Sequence, residues 1–296
     1  MQISSKFRAE AHPQHGLLRG REFLMKDLYT FDADHSSAMR TYEEVRSVYE
    51  KIFLRRLQLP VVSLQADTGL IGGDLSHEFH LLAEVGEDKV AVNDVTGHVT
   101  NNISDVSSDY VIRNTIELGH TFYLGDVYSK KLNVKFTGKN GKGSICQMGC
   151  YGLGVTRIVA AALETMSTEN GLKWPKAIAP YKVCIVTART GSKNFEKSCA
   201  VGDKLYDEID EEKCLQGDVL IDDRHRETIG WRLKQAKLIG HPLVLVVGKD
   251  VNENKVEVIN QNEESKTILH TDQVVPYVQN YFGDGGYNFS STKISC

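Results

Sequence analysis

Three stretches of this chain carry residue types that together could grip a phosphorylated ligand. Phe7-Arg8-Ala9-Glu10 opens the set. Gly16-Leu17-Leu18-Arg19-Gly20-Arg21-Glu22-Phe23 follows after a short loop, and Gly149-Cys150-Tyr151-Gly152-Leu153-Gly154-Val155-Thr156-Arg157 lies far downstream. An Arg–x–Glu on a strand places both side chains on one face, because strand side chains alternate with a period of two. Arg8 can fork two oxygens of a carboxylate or phosphate, and Glu10 can accept from an exocyclic amine. An aromatic on the returning strand, Phe23, can stack on a base. Arginines set beside glycines, Arg19 and Arg157, can approach further phosphates closely. Such a set suits a bent nucleotide triphosphate held against a carboxylate. Any one Arg–Glu pair reads as a surface salt bridge; the ordered set is what points to a functional site.

Other arrangements are set aside on their spacing. Gly138–Ser144 lacks GxxxxGK[ST] and reads as a hairpin turn. His77-Glu78-Phe79-His80 holds its histidines three apart rather than four, so packing or hydrogen bonding is expected. Cys146 and Cys150 have no second ligand pair at metal-binding spacing. The 6 cysteines include no CxxC, and they read as reduced thiols of a cytosol-like or matrix-like compartment. The sequons at Asn102 and Asn288 read as chance matches.

The elements that must position these residues follow from pattern. The chain has 296 residues, 41% apolar and 25% charged, with a formal net charge of −4. That is the composition of a soluble globular protein with about two domains. It excludes collagen, a mostly disordered chain and a disulfide-dense scaffold. No apolar run approaches the ~20 residues of a membrane span, so no membrane partner is expected. The charge balance leaves RNA binding to a local basic patch. Residues 6–35 read as strand and loop. Ser36–Leu59 reads as a helix, with Met39, Tyr42, Val45, Tyr49, Ile52 and Phe53 at spacings of three and four, and Pro60 stops it. Val61–Ala66, Phe79–Ala83 and Lys89–Val92 read as strands, 94–114 as a polar surface excursion, and Ile116–Leu124 and Leu132–Phe136 as strands again. Thr156–Thr165 reads as a helix. Pro175 and Pro180 mark a boundary. Beyond it, strands at Val183–Thr187, Val219–Ile221, Leu243–Val247 and Lys255–Ile259 alternate with helices at Lys193–Ile209, Thr228–Ile239 and Asp272–Tyr281. The first part is thus expected to be an antiparallel α+β domain over 1–175. The second, 181–285, is expected to be α/β with a largely parallel sheet, and 286–296 is a tail.

Arg8-Ala9-Glu10 through Glu22-Phe23-Leu24-Met25-Lys26-Asp27 resembles motif 2 of a class II aminoacyl-tRNA synthetase, and Gly152–Arg157 resembles motif 3. Gln65–Gly73, Ser76-His77-Glu78-Phe79, Glu117–Gly125, Met148–Gly152 and Leu220-Ile221-Asp222-Asp223-Arg224 narrow the resemblance to bacterial-type prolyl-tRNA synthetases, with the mitochondrial form most alike. The likeness runs from residue 6 to about 282. It implies a class II catalytic core followed by an anticodon-binding domain, with proline, ATP and tRNA(Pro) as partners, Mg²⁺ as cofactor, and the mitochondrial matrix as location, although no transit peptide is visible. It implies that Arg8 grips the α-phosphate and the proline carboxylate, that Glu10 accepts from adenine, that Arg19 meets the triphosphate and that Phe23 stacks on adenine. Glu117 and His120 would lie at the ATP site, with Glu117 a candidate for Mg²⁺ or ribose. Phe122 and Cys150 would wall the proline pocket, and Arg157 would bind the γ-phosphate; Arg8 and Arg157 are the catalytic pair. Asp222, Arg224 and Lys234 are candidates for RNA contact, since unstacked loop bases suit such readout.

Four departures from the family pattern shape the expectation. Motif 1 and the Thr–x–Glu proline loop, which should precede motif 2, are missing, so the chain reads as N-terminally truncated and the family's homodimer interface as incomplete. His12 and Gln14 stand where the motif 2 loop usually carries Arg. The path from His77 to Glu117 leaves no room for an editing insertion. Residues 93–114 hold no cysteine, so no zinc is expected. The alternatives are a noncatalytic tRNA-binding paralogue, an inactive truncated product, or a threonyl- or glycyl-type relative.

Overall fold

The computed structural model describes residues 1–138 and 141–283. The expected tail at 286–296, the second sequon, Cys296 and the centre of the Gly138–Gly143 turn lie outside the described residues. Two compact units divide the chain, Met1–Thr165 and from Met166 on.

The first unit contains strands β1 (Gln2–Phe7), β2 (Glu22–Asp32), β3 (Val61–Ala66), β4 (Leu75–Leu82), β5 (Asp88–Val92), β6 (Val99–Thr100), β7 (Val111–Gly125), β8 (Lys135–Thr137), β9 (Gly143–Ile145) and β10 (Gln147–Gly154). Helices α1 (His35–Lys51), α2 (Val127–Lys131) and α3 (Val155–Met166) accompany them. The main sheet runs β1-β2-β10-β7-β4-β3, and every adjacent pair is antiparallel. Helix α1 starts where Asp34 accepts from the Ser37 amide at 2.7 Å and closes a capping box. It buries Ala38, Tyr42 and Tyr49, and a π-helical turn, Ile52–Arg56, continues it to bury Phe53. Tyr49 and Phe53 meet Phe79 of β4 edge-on and tilted, at 5.5 and 5.7 Å between ring centres.

Several local expectations change. Leu132–Phe136 is not one strand: the chain first turns through α2, and β8 starts only at Lys135. The polar excursion ends at Val111, where β7 begins, because its first five residues pair with β5. The glycine-rich run Gln147–Gly154 is a strand, formed by pairing with β2 on one side and β7 on the other rather than by its own propensity. Arg8 and Glu10 lie just beyond the end of β1, although the Arg8 amide still donates to Arg21 at 2.9 Å and keeps the two arms together.

The second unit has β11 (Val183–Thr187), α4 (Phe195–Asp210), β12 (Val219–Asp222), α5 (Ile229–Ile239), β13 (Leu243–Val247), β14 (Lys255–Asn260), β15 (Ser265–His270) and α6 (Thr271–Phe282). Strands β12-β11-β13 are parallel, whereas β13-β14 and β14-β15 are antiparallel, so the sheet is mixed rather than largely parallel. The reason is connection length. Only short turns separate β13 from β14 and β14 from β15, and a parallel return needs a crossover of a dozen residues or more. β11 and β13 are buried along their whole length, which explains their unbroken apolar runs. Val183, Ile185, Leu205, Ile209, Leu245 and Val274 belong to the core on one face, and Cys184, Val186, Ala236 and Val244 to that on the other.

Candidate active site

Three neighbouring strands of the first unit build the floor of one cavity. On β2, the alternate residues Phe23, Met25, Asp27 and Tyr29 line it. On β10, Cys150 pairs with Tyr29, Gly152 with Asp27 and Gly154 with Met25. On β7, Phe122 pairs with Cys150 and His120 with Gly152. The period-two rule puts each of these sets on one side of the sheet. The cavity measures about 460 Å³, within the range of small-molecule sites. All nine candidates for nucleotide and proline line it: Arg8, Glu10, Arg19, Phe23, Glu117, His120, Phe122, Cys150 and Arg157.

The polar groups are already paired with each other. The Arg8 guanidinium lies over the Phe23 ring, 5.0 Å from its centre. Arg19 Nε donates to Glu10 Oε2 at 2.9 Å. The hydrogen bond from Arg19, and a second from the His12 amide, hold the Glu10 carboxyl below its ordinary value. Arg19 also bonds Glu87, as does Gln14, so the loop between β1 and β2 is tied to the turn before β5. Within that loop Gln14 and Arg19 form an isolated bridge, and His15 and Gly16 take positive φ at its tip. Arg157 stands at the start of α3. Its Nε donates to the Leu18 carbonyl at 2.9 Å and its Nη1 to the Glu117 carbonyl at 3.0 Å. It therefore reaches from the motif 3 side to both the loop and β7.

His120 Nδ1 donates to Glu117 Oε1 at 3.2 Å, and its ring stacks on Phe122 with centres 3.8 Å apart. Burial alone would raise the Glu117 carboxyl, but the His120 hydrogen bond and the charges of His120 and Arg157 outweigh it and leave it below the usual value. Glu78, Glu117 and His120 form a group whose donor atoms lie within 4.8 Å of one another. Two carboxylates are hard oxygen donors of the kind Mg²⁺ takes, so the pair Glu117 and Glu78 fits that ion. His77 and His80 serve in hydrogen bonds, as their spacing suggests: His77 Nδ1 meets the Tyr42 hydroxyl at 2.7 Å, and His80 Nε2 donates to Glu78 at 2.9 Å. Burial, with the Asp27 carboxylate nearby, pushes the Cys150 thiol up.

Residues not foreseen as site members are Met25, Asp27, Tyr29, Glu87 and the segment Asp67–Ile71. The alternation from Phe23 along β2 carried the signal for the first three. Asp27 is buried and takes the Lys6 ammonium at 2.8 Å. Glu87 gave no signal, because its partners are 68 and 73 positions away. The segment Asp67–Ile71 lines the cavity, and the run it opens turns on Gly69, Gly72 and Gly73, all at positive φ.

The remaining candidates lie in the second unit. Asp222, at the end of β12, is buried, and Arg224 grips it with Nε–Oδ1 2.9 Å and Nη2–Oδ2 2.6 Å. Arg224 also lies over the indole of Trp231, 4.9 Å from the ring centre, and that indole is 40% exposed. Asp222 thus orients Arg224. Lys234 is exposed on α5 and does not line the cavity that Asp222 and Arg224 share. Sequence reasoning missed Arg232, which is wholly buried and donates to the carbonyls of Thr187 and Asp222, tying together the ends of β11 and β12.

An antiparallel core whose motif 2 and motif 3 arginines meet over one cavity defines a class II aminoacyl-tRNA synthetase. The family described as "tRNA synthetase class II core domain (G, H, P, S and T)" matches residues 1–166, and the "Anticodon binding domain" family matches residues 182–281. The chain is 35% identical over 298 residues to the proline–tRNA ligase of Wolbachia sp. subsp. Brugia malayi, covering 93% of this chain and 68% of that one. It is 44% identical over 286 residues to the human protein named "Probable proline--tRNA ligase, mitochondrial", covering 93% of this chain and 60% of the relative. The chain belongs to the proline–tRNA ligase family. Its fold matches a prolyl-tRNA synthetase from Cryptosporidium parvum, solved with L-proline and AMP, with a TM-score of 0.77 at 20% identity, over 95% of this chain and 54% of that one. The chain spans about 60% of the length of its human, rat and mouse relatives.

Proposed function

We propose that this chain activates proline with ATP and transfers it to the 3′ end of tRNA(Pro), in the mitochondrial matrix. The observation that carries the reading is the convergence of nine residues from separate stretches of sequence on one cavity of about 460 Å³. Arg8 orients the proline carboxylate and the α-phosphate. Phe23 stacks on adenine, and Glu10, released from Arg19, accepts from its amino group. Arg19 and Arg157 hold the outer phosphates from opposite sides. Phe122 and Cys150 give the amino acid a small pocket. Glu117, with Glu78 beside it, would hold Mg²⁺, which supplies neutralising charge for the pyrophosphate.

The chemistry then needs positioning and charge, not a protein nucleophile. A proline carboxylate oxygen attacks the α-phosphorus, the bond to the pyrophosphate oxygen breaks, and prolyl-adenylate forms. A hydroxyl of the tRNA terminal ribose next attacks the acyl carbon and AMP leaves. Arg224, braced by Asp222, and Lys234 contact the RNA. The names of the mitochondrial relatives support the location.

Proline-dependent exchange of pyrophosphate into ATP tests the activation step. Exchange is expected with proline and not with alanine, threonine or glycine. Arg8→Ala, an exposed residue whose loss spares the core, is expected to lower it at least a hundredfold, about 2.7 kcal/mol of transition-state stabilisation. No exchange with any amino acid would favour a noncatalytic RNA-binding role.

A further inference from the structure

One carboxylate on the cavity floor is only half used. Asp27 on β2 is 5% exposed, and its contacts fall on one oxygen. Oδ2 takes the Lys6 ammonium at 2.8 Å and the Gln2 side-chain amide at 3.4 Å. Both reach it from β1, where Gln2 pairs with Asp27 and Lys6 stands four residues on, on the same side of the strand. Oδ1 is turned the other way, toward Gly152 of β10, where a Cβ would meet it at 3.8 Å. Among the described residues Oδ1 has no hydrogen-bond partner. A buried carboxylate oxygen without a partner is unfavourable until something donates to it. The cavity's other carboxylates are engaged within the protein: Glu10 by Arg19, Glu117 by His120, and exposed Asp67 by the Gly69 amide.

Asp27 also stands between the two ends of the floor. Toward the start of β2 lies Phe23, with Arg8 over its ring. Toward the end of β2, Tyr29 pairs with Cys150, and Cys150 pairs with Phe122. A proline whose carboxylate meets Arg8 and whose ring rests on Phe122 and Cys150 carries its nitrogen between those ends, over Asp27 and the bare backbone of Gly152. The charge of Asp27 is felt there: after burial, it contributes to raising the Cys150 thiol. One free carboxylate oxygen is too few for a divalent ion, which takes several, but it suits an N–H of an ammonium. The geometry points to Asp27 as the acceptor for the secondary ammonium of proline, and so as the residue by which the site tells a cyclic amine from a ring of the same shape without that charge. The inference rests on the ligase reading above and deepens it by naming the group that receives the substrate's amine.

The test is calorimetric titration of the full chain with proline and with tetrahydrofuran-2-carboxylate. That analogue keeps the ring and the carboxylate and puts an ether oxygen, an acceptor only, where proline has its ammonium. Proline is expected to bind about thirtyfold tighter, the order of a hydrogen bond to a charged group. Asp27→Asn keeps the shape and lets the amide oxygen accept from Lys6, while a nitrogen takes the place of Oδ1. In this variant the preference is expected to fall to about threefold or less, with ATP affinity unchanged. A merely structural role for Asp27 would weaken proline, the ether analogue and ATP together and leave the preference as it was. If Asp27→Asn lowers the melting temperature, its combination with Lys6→Met, which leaves no unpaired charge, decides by the same ratio. An unchanged preference in the deciding variant overturns the proposal, as does an unaltered chain that binds both ligands alike or neither. Preference for proline without exchange of pyrophosphate into ATP keeps Asp27 as the amine acceptor and counts against the ligase reading instead.

Discussion

At the residue scale, the cavity floor depends on what is not there. Gly152 sits between Asp27 on β2 and His120 on β7, and a Cβ on it would meet Asp27 Oδ1 and Met25 Sδ at 3.8 Å, which is ordinary contact. Gly152→Val should therefore fold, since valine suits a strand, yet occupy the ligand's space. Nucleotide affinity is expected to fall at least tenfold with a melting temperature within a few degrees of the original, read by calorimetric titration and thermal melting. Cys150 offers a check on the electrostatics. Its raised thiol is mostly protonated at pH 8, and the thiolate is the reactive form. Iodoacetamide at that pH is expected to label exposed Cys214 well before Cys150, as peptide mass mapping would show. Equal rates would contradict the burial of the pocket thiol.

At the element scale, one carboxylate ties the loop between β1 and β2 to the turn before β5, beside the hold that Arg157 takes on Leu18. Glu87 bonds both Gln14 and Arg19, and Arg19 in turn bonds Glu10. Glu87→Ala should free the loop while leaving the sheet intact. Trypsin is expected to cut faster at Arg19 or Arg21, and the KM for ATP in exchange to rise about fivefold with little change in kcat. Unchanged proteolysis would mean the loop is held by other contacts. The elements also show what could be read in advance. Helices α1, α3, α4 and α5 were legible because their apolar spacing and stop signals agree with their packing. β10 was not, because a strand with three glycines in Gln147–Gly154 is stabilised by its two neighbours and not by its own residues. The antiparallel turn into β14 was readable from connection length, but strand–helix alternation suggested otherwise. In the cavity, the motif arginines, Glu10 and Phe23 announced themselves, whereas Asp27, at the end of the motif 2 stretch, and Tyr29 beyond it were legible as lining residues only as a period-two continuation of Phe23. Glu87 and Arg232 act through contacts between distant segments that no local pattern encodes.

At the scale of the whole molecule, the two compact units hold two separate sets of candidate residues. The nucleotide and proline candidates all lie in the first unit, and Arg224 with its Trp231 stack lies in the second. Arg224→Ala is accordingly expected to raise the dissociation constant for a proline tRNA transcript five- to tenfold, the order of a lost base or phosphate contact, and to leave proline-dependent exchange untouched. A fall in exchange would show that the division is wrong. The central claim is that one cavity holds proline and adenosine together. The most direct measurement is calorimetric titration of the chain with a nonhydrolysable prolyl-adenylate analogue, a prolyl sulfamate of adenosine. Binding at one site per chain is predicted, tighter than either ATP or proline alone and weakened at least a hundredfold by Arg8→Ala. No binding, or equal binding to the Arg8 variant, would contradict it.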